Sequence, residues 1–533
     1  MRFGTKIPFD IFLDSPSLAS QRLLAGFGSR EALLDTCAEL LDGVEIGILS
    51  PNTDGETLLS CLTECTQRGL AVSVHGTLSG AAAAEEFLKP YLPWLHAGIS
   101  PLRHITVHPL PTKEETVRLL SEICERIECD GLPLRINVEN QRDREAISPH
   151  ESCLGVLDCI CTVGSPFLGL CFDFGHRLSN LRKNGPDSDP VSEGFWRAVR
   201  HTHIHSYYNG RTHFPLSVGE TELEENLFSL LAQGYQGLYL LELAPDRYPA
   251  EWDAKESLLS SISVLKAAAQ LTFEKGAERA LYHRQYGEAL RRIRMGLEKN
   301  ENALCVLGPA MYLLKLGDTH IAIDPSLWDM PIAKEDEAAL VSLLGECDGV
   351  IVTHLHEDHY DPALLDRLSP HIPLFLPDFS PARWQKSQKV LHSTFPGASY
   401  SLGEVTLSFY ESAHSEGKNQ VPEYGFSVYH RGKHYAFPAD VRNYDAPLPP
   451  LPPADALVAH LWLGRRNALL DTSAYEETFC RFVRRFSPER ILLGHLYDFR
   501  RVITDMWTAW HTQKLKDRLP KAIPLRLGDV IPL

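Results

Sequence analysis

The sequence lacks long apolar segments. None of its uncharged apolar runs reaches the ~18 residues that a membrane-spanning helix requires. The first residues also lack the pattern of a secretory signal, because Asp10 and Asp14 interrupt their apolar part. The 12 cysteines include no Cys-x-x-Cys pair, which favours reduced, buried thiols over a disulfide framework. We therefore expect a cytoplasmic globular protein with no membrane partner.

Basic residues are scarce, and the shortage is uneven. The chain has 52 Lys and Arg against 69 Asp and Glu, a net charge of −17, and residues 1–272 carry −14 of it. A strongly acidic half repels phosphate backbones unless metals or a local basic patch compensate. Nucleic acid is therefore a disfavoured partner. The length of 533 residues is too great for one hydrophobic core and indicates two to four domains.

Metal-ligand residues concentrate in one short segment. His354, His356, Asp358 and His359 fall within six positions, directly after the apolar, β-branched stretch 349–353 that predicts a buried strand. Alternation along an extended segment points His354 and His356 the same way and leaves Asp358 and His359 for a second ion. Imidazole together with carboxylate suits zinc, manganese or iron.

This His-x-His-x-Asp-His pattern makes residues 303–533 resemble the metallo-β-lactamase superfamily, especially its lactonase-like and phosphodiesterase-like branch. The stretch 312–325, a predicted hairpin turning at Gly317 and Asp318, resembles the family's opening. The resemblance implies an αββα domain and a catalytic role for Asp358. It implies two groups of ligands: His354, His356 and His414 for one ion, and Asp358, His359 and His495 for the other, with Asp440 between them.

The chemistry implied by that ligand set is hydrolysis. Two divalent ions, zinc or manganese, share a water molecule, lower its pKa and polarise the carbonyl or phosphoryl oxygen under attack. We expect a lactone, ester or phosphodiester as the substrate. His460 also follows a predicted strand and is left unassigned, since a structural role fits it equally well.

Residues 1–272 alternate strand and helix signals. The eight strand candidates are Ile7–Leu13, Gly43–Leu49, Leu70–His75, His104–His108, Leu134–Glu139, Leu168–Asp173, His201–His205 and Leu238–Leu243. Eight strands with helices between them, in about 270 residues, predict a (β/α)8 TIM barrel. A last barrel helix is expected at 254–270, and the charged stretch 273–302 is expected to be a linking helix that buries little.

Potential ligands stand at the C-terminal ends of six of these strands, where TIM-barrel active sites lie. They are His75, His108, Glu139, Asp173 with His176, His203 with His205, Arg211 and His213, and Glu242. One such residue would suit a core or loop role. A set of them at one end of successive strands indicates a site.

The first 272 residues resemble the xylose-isomerase-like superfamily, whose branches imply different details. The epimerase branch implies one metal held by Glu139, Asp173, His203 and Glu242. It implies that Glu139 and Glu242 exchange a proton with the substrate, that His176 and Arg211 bind substrate oxygens, and that Glu145 supports Glu139. We expect His205 to contact substrate or to support a ligand.

The endonuclease IV branch implies a larger cluster that also uses His75, His108, His176 and His213. It requires an aspartate where Arg211 stands, and an arginine cannot ligate a metal. Arg211 suits an anionic substrate such as a sugar phosphate better. The number of metal ions in the barrel, one or two, therefore remains open.

The sequence thus predicts a two-domain metalloenzyme. Its barrel would isomerise or epimerise a sugar or sugar phosphate, and its second domain would hydrolyse a lactone, ester or phosphodiester. The alternatives are a nucleic-acid-processing metallonuclease and a barrel that binds a metabolite without turnover. The sequence does not indicate an oligomeric state.

Overall fold

The chain forms two compact units, Met1–Ala269 and Gln270–Leu533. The computed structural model describes all residues except 51, 81–82, 99–103, 143–148, 329, 385–386 and 417–418, and only the backbone at 415–416 and 419–420. Within the described part of the chain, no helix is long and apolar enough to cross a membrane.

The first unit is a closed barrel of eight parallel strands, as the sequence predicts. Its strands, in the order in which they pair around the barrel, are β1 (Arg2–Pro8), β10 (Leu238–Leu241), β7 (Val199–Ile204), β6 (Leu168–Asp173), β5 (Arg135–Glu139), β4 (His104–Val107), β3 (Ala71–Gly76) and β2 (Gly43–Leu49). A hairpin of β8 (Ser206–Tyr208) and β9 (Arg211–Phe214) follows β7.

Helices connect successive barrel strands. They are α1 (Leu18–Phe27), α2 (Arg30–Leu40), α3 (Gly55–Gln67), α4 (Ala84–Leu88), α5 (Leu92–Ala97), α6 (Lys113–Cys129), α7 (Cys153–Val163), α8 (Phe174–Asn184), α9 (Glu193–Ala198), α10 (Leu223–Ala232) and the start of α11 (Ala254–Lys299). Side-chain caps begin several of them. Asp173, for example, ends β6 and accepts a hydrogen bond from the backbone N–H of His176 at the start of α8.

The first predicted strand, Ile7–Leu13, is misplaced. The barrel strand is Arg2–Pro8, and a short 3-10 helix covers Phe9–Phe12. Pro8 has no N–H for a further ladder bond, so the strand ends there.

The sequence predicts two separate helical segments, whereas α11 is one continuous helix. Its second half is also more buried than expected, because Tyr282, Tyr286 and Ile293 are almost fully buried. The Tyr286 hydroxyl donates to the backbone oxygen of Leu307 at 2.8 Å. These residues recur at helical spacing and place an apolar stripe inside the charged sequence.

The second unit contains two seven-stranded sheets. In pairing order, the first is β16 (Leu391–Thr394), β15 (Leu374–Pro377), β14 (Gly349–Ile351), β13 (Thr319–Ile323), β12 (Tyr312–Leu316), β11 (Asn302–Val306) and β26 (Val530–Pro532). The second is β17 (Ser399–Leu402), β18 (Val405–Glu411), β21 (Tyr424–His430), β22 (Lys433–Phe437), β23 (Ala456–His460), β24 (Arg490–Gly494) and β25 (Ala522–Pro524). A small ribbon pairs β19 (Ser415–Glu416) with β20 (Asn419–Gln420).

One hydrophobic core lies between these two sheets, with Leu314 and Ile321 from the first packed with Leu407 and Phe426 from the second. The helices connecting parallel strands are α12 (Lys334–Leu344), α13 (Pro362–Arg367), α14 (Ser473–Arg484) and α15 (Ala509–Gln513). The sequence also predicts a helix at 501–516, but α15 covers only Ala509–Gln513. Thr508 and His511 form a capping box that begins it late.

Candidate metal centres

The loop after β14 carries the first four ligand candidates of the second unit. Asp324, just past β13, anchors this loop: it accepts hydrogen bonds from the backbone N–H of Thr353 at 2.7 Å and from its hydroxyl at 2.8 Å. Asp324 also accepts from Nδ1 of His359 at 2.8 Å. The parallel pairing of Ile323 with Ile351 sets this spacing, since it brings the ends of both strands together.

His354, His356 and His414 form one group, whose ligand atoms all lie within 4.8 Å of one another. His354 Nε2 is 3.1 Å from His356 Nδ1. His414 Nδ1 is held by Glu423 Oε2 at 2.9 Å, and its buried Nε2 has no hydrogen-bond partner among the described residues. A carboxylate on one imidazole nitrogen and a free second nitrogen is the arrangement of a metal-binding histidine.

Asp358, His359, Asp440 and His495 form the second group. His495 Nε2 lies 3.1 Å from Asp358 Oδ2 and 3.7 Å from Asp440 Oδ2. His359 Nε2 is also buried without a hydrogen-bond partner in the described structure. The His359 and His354 ring centroids are 4.2 Å apart, so the two groups are adjacent. Their donor sets fit a pair of divalent ions.

The charges in this cluster favour neutral ligands in the first group and ionised carboxylates in the second. Burial, with nearby histidines, lowers the pKa of His356 to about 4 and that of His354 well below its ordinary value. Burial alone would raise the pKa of Asp440, but His495 and His359 hold it well below the usual range. Neutral imidazole and carboxylate are the forms that bind metal.

His460 joins this cluster through Asp440. Its Nδ1 is 2.6 Å from Asp440 Oδ1, and its Nε2 is 3.2 Å from the Tyr312 hydroxyl. The same hydroxyl accepts the backbone N–H of His495. Gly494 permits this approach, because a Cβ there would lie 2.0 Å from the hydroxyl. His460 therefore orients Asp440, a role that the sequence left open.

In the barrel, Glu139 at the end of β5 is the centre of the site. It is fully buried. Its Oε2 lies 3.1 Å from His75 Nε2, 3.1 Å from His203 Nδ1 and 3.4 Å from His108 Nε2. Its Oε1 lies 3.2 Å from His176 Nδ1. The structure thus brings together four of the predicted histidines around one carboxylate.

Glu242 follows β10, the strand that pairs with β7, and approaches His203. Its Oε2 is 2.8 Å from His203 Nδ1, and both atoms are buried without a hydrogen-bond partner among the described residues. His203 and Lys6 hold the pKa of Glu242 well below its usual range, although burial alone would raise it. This nitrogen and this oxygen converge beside Glu139, and both are atom types that bind a divalent cation.

Asp173 lies in a different group, with His176, His205 and His213. His205 Nε2 is 3.0 Å from Asp173 Oδ1, and the rings of His205 and His213 stack at 4.1 Å. Gly175 makes this possible, since a Cβ there would collide with the His205 ring at 1.9 Å. In this geometry His205 supports Asp173 directly.

Arg211, which the sequence predicts to bind substrate oxygens, is exposed in the β8–β9 hairpin. It does not line the 280 Å³ cavity at this end of the barrel. It follows the tight turn at Asn209 and Gly210, both at positive φ, which directs the chain outward. Arg142 and Arg247 line that cavity instead. Glu145 lies outside the described residues.

Two buried charges of the barrel were missed by sequence reasoning. The Lys6 ammonium lies 2.5 Å from Glu242 Oε1 and 3.3 Å from His75 Nδ1. Glu45 accepts from His203 Nε2 at 2.8 Å and, with its other oxygen, from His201 Nε2 at 2.9 Å. A lone charge inside an apolar strand signals a required buried partner, and both residues occupy such positions.

Comparisons with known proteins agree with this architecture. Residues 34–268 match the family model of the xylose isomerase-like TIM barrel. A search of curated proteins finds no match. The xylose isomerase domain protein from Planctomyces limnophilus is similar at 17% identity and a TM-score of 0.35, covering 50% of this chain and 96% of that one.

Two similar solved structures correspond to the C-terminal half. The metallo-β-lactamase fold protein YhfI from Bacillus subtilis has 16% identity and a TM-score of 0.32, covering 43% of this chain and 98% of that one. Igni18, a metallo hydrolase from Ignicoccus hospitalis, has 17% identity and a TM-score of 0.33, covering 43% and 97%. Residues 34–268 of the first unit therefore match the model of a xylose isomerase-like TIM barrel, and the second unit consists of two seven-stranded sheets.

Proposed function

We propose that this chain is a two-domain metalloenzyme, with a dinuclear hydrolase centre in the second unit and an isomerase or epimerase site in the barrel. The observation that carries the proposal is the convergence of seven ligand-type side chains in two adjacent groups of the second unit. Their order along the chain is the one that hydrolases of this fold use.

The residues of the second unit hold and orient that centre. Divalent ions bound there would supply a Lewis acid and would lower the pKa of water toward neutrality. Asp324 and Glu423 hold one nitrogen of His359 and His414, which leaves the other nitrogen available for a metal. His460 holds one oxygen of Asp440 and leaves the second oxygen toward His359 and His495.

The hydrolase proposal is tested with a substrate panel of lactones, carboxylic esters and phosphodiesters. Protein loaded with zinc or manganese should hydrolyse at least one class. A His356→Ala, Asp358→Ala double variant should lose that activity and bound metal. The matched control is His392→Ala, a half-buried histidine stacked on Phe375 outside the cluster. Unchanged hydrolysis in the double variant would contradict the assignment.

For the barrel, the supporting observation is the pair of carboxylates on His203. Glu139 Oε2 and Glu242 Oε2 lie 3.1 and 2.8 Å from the same imidazole nitrogen. Two carboxylates beside one site can remove a proton from a substrate carbon and return it. Arg142 and Arg247 line the adjacent cavity and suit an anionic group such as a sugar phosphate.

The barrel proposal is tested by solvent deuterium exchange. The metal-loaded protein is incubated in heavy water with ketoses, aldoses, sugar phosphates and their lactones, and the masses are measured. Deuterium incorporation on carbon that is lost in Glu139→Gln supports proton transfer. Cleavage of abasic-site DNA at physiological salt would favour a nuclease instead. Tight ligand binding without product would favour a binding protein.

A further inference from the structure

A second cavity opens at the opposite end of the barrel from Glu139. It has a volume of about 550 Å³ and is lined by the first residues of six strands, β1, β3, β4, β5, β7 and β10, together with the segment that leads into β10. Catalytic residues of TIM barrels lie at the C-terminal ends of the strands. This N-terminal cavity is therefore separate from the site described above.

The wall of the N-terminal cavity is basic, in a half of the chain that is strongly acidic. Four arginines line it: Arg2, Arg135, Arg197 and Arg200. No aspartate or glutamate is among the described lining residues. Arg197 pairs with Glu193, whereas the other three have no carboxylate partner in the described structure. Arg200 Nη1 donates to the backbone oxygens of Arg197 and Val199. Guanidinium groups without a carboxylate partner around one cavity favour an anion.

Polar atoms beneath this wall also lack partners. Ser73 lines the cavity with only 2% of its surface exposed, and its hydroxyl has no hydrogen-bond partner among the described residues. Asn137 is fully buried and bonds His104 through Nδ2, but its Oδ1 is likewise unpartnered. A buried polar atom left unpaired destabilises the folded state, and a ligand that accepts from Ser73 would remove part of that cost.

Gly169 permits Arg200 and Asn137 to pack closely beside this cavity. A Cβ at Gly169 would lie 2.6 Å from Cγ of Arg200 and 2.8 Å from Oδ1 of Asn137. Trp196 and Tyr235 add aromatic surface to the same wall. The cavity thus combines guanidinium groups, a buried hydroxyl and aromatic rings, which are the elements of a small-molecule site.

We infer that the N-terminal cavity binds a small molecule carrying a phosphate group. Its volume falls in the range of small-molecule pockets, roughly 300–1,000 Å³. The four arginines are exposed and line one cavity, and the net charge of −14 on residues 1–272 repels a long polyanion. The phosphate would contact Arg135 and Arg200, with the Ser73 hydroxyl donating to one of its oxygens.

Isothermal titration calorimetry on the full-length, metal-loaded protein tests this inference. The probes are inorganic phosphate, glucose 6-phosphate and adenosine monophosphate, which separate a bare anion from a sugar phosphate and a nucleotide. At least one should bind. Arg135→Gln should weaken that binding at least tenfold, and Ser73→Ala about threefold to tenfold, since each removes a direct contact.

Two control variants assign the binding to the cavity. Arg118→Gln changes an exposed arginine that pairs with Glu122 on α6, and it should alter the affinity less than twofold. Arg247→Gln changes the cavity at the catalytic end, where the proposed function also places an anionic group, so it should weaken only that component and leave the Arg135-dependent component of binding intact. The inference is overturned if no probe binds at millimolar concentration. It is also overturned if Arg247→Gln abolishes binding while Arg135→Gln does not, or if Arg135→Gln behaves like Arg118→Gln.

Discussion

The two units carry similar ligand residues but assemble them differently. In the second unit the structure brings together the same two groups that the sequence order implies, and Asp440 lies in the second of them. In the barrel, the expected quartet of Glu139, Asp173, His203 and Glu242 is divided. Asp173 lies with His176, His205 and His213, while Glu139 and Glu242 converge on His203.

The difference has a local origin. Four of the seven ligands in the second unit come from one six-residue loop that Asp324 anchors at Thr353. The four members of the barrel quartet come from the ends of four separate strands, so their neighbours depend on how the barrel closes. Buried charges on other strands then take part, and Lys6 bonds Glu242 across 236 positions of sequence.

A double variant in the second unit tests whether the two sites act independently, and it should have the greatest effect. His356→Ala with Asp358→Ala should reduce hydrolysis on the order of 10³-fold, because losing a ligand from each group removes several kcal/mol of transition-state stabilisation. Deuterium exchange by the barrel should not change. The measurements are hydrolysis rate, metal content and exchange rate on one preparation. A parallel loss of exchange would show that the sites are not independent.

The reciprocal variant is Glu139→Gln. It keeps the shape of the side chain but removes the base, so proton exchange in the barrel should fall ~10²–10⁴-fold. Hydrolysis by the second unit should stay the same. The rates of both reactions are measured at equal metal content. If exchange is unchanged in this variant, Glu139 is not the base of the reaction.

Lys6 provides a test of stability. Replacing it by Gln removes the ammonium partner of the buried Glu242 carboxylate, which should cost the barrel about 3–5 kcal/mol. Added manganese should restore part of this loss, since a divalent ion would supply the missing charge. Thermal unfolding with EDTA and with manganese measures both. Lys113→Gln, which removes an exposed pair with Asp158, is the control. Equal effects from the two variants would contradict this role.

Asp324 and Glu423 should tune the metal centre without binding it. Asp324→Asn or Glu423→Gln removes the carboxylate that holds a ligand imidazole, and metal affinity should fall ~10–100-fold. Competition with a chelating dye measures that affinity. The control is Glu411→Gln, an exposed glutamate at the end of β18. Unchanged affinity in both test variants would mean that the histidines need no such support.

The smallest effect concerns Glu278 in α11. Burial, with Asp529 and Glu274, raises its pKa from 4.5 to about 7, although Arg526 opposes the shift. The folded state therefore binds this proton more tightly, and stability declines as the pH rises from about 4.5 to about 7. Glu278→Gln should stabilise the protein by ~1–2 kcal/mol at pH 8 and leave it unchanged at pH 4. Denaturant unfolding at both values measures this, with exposed Glu288→Gln as the control.

Much of the fold could be predicted because its signals are local. The strands Gly43–Leu49 and Leu168–Asp173 have the predicted bounds, and the hairpin turn lies at Gly317 and Asp318. The errors arose where one residue overrode a pattern. Pro8 ends the first strand, and Tyr282 and Tyr286 bury a helix whose charges suggested exposure.

The sequence was sufficient for the fold class and for the order along the chain of the residues of metal-binding type. Tertiary structure decided which carboxylate supports which imidazole. Glu45 holds His201 and His203 across 156 and 158 positions, and Glu423 holds His414 from a neighbouring strand. These contacts follow from barrel closure and strand register. A hydrogen bond requires atoms within ~3 Å, and spacing along the chain cannot specify that distance between separate strands.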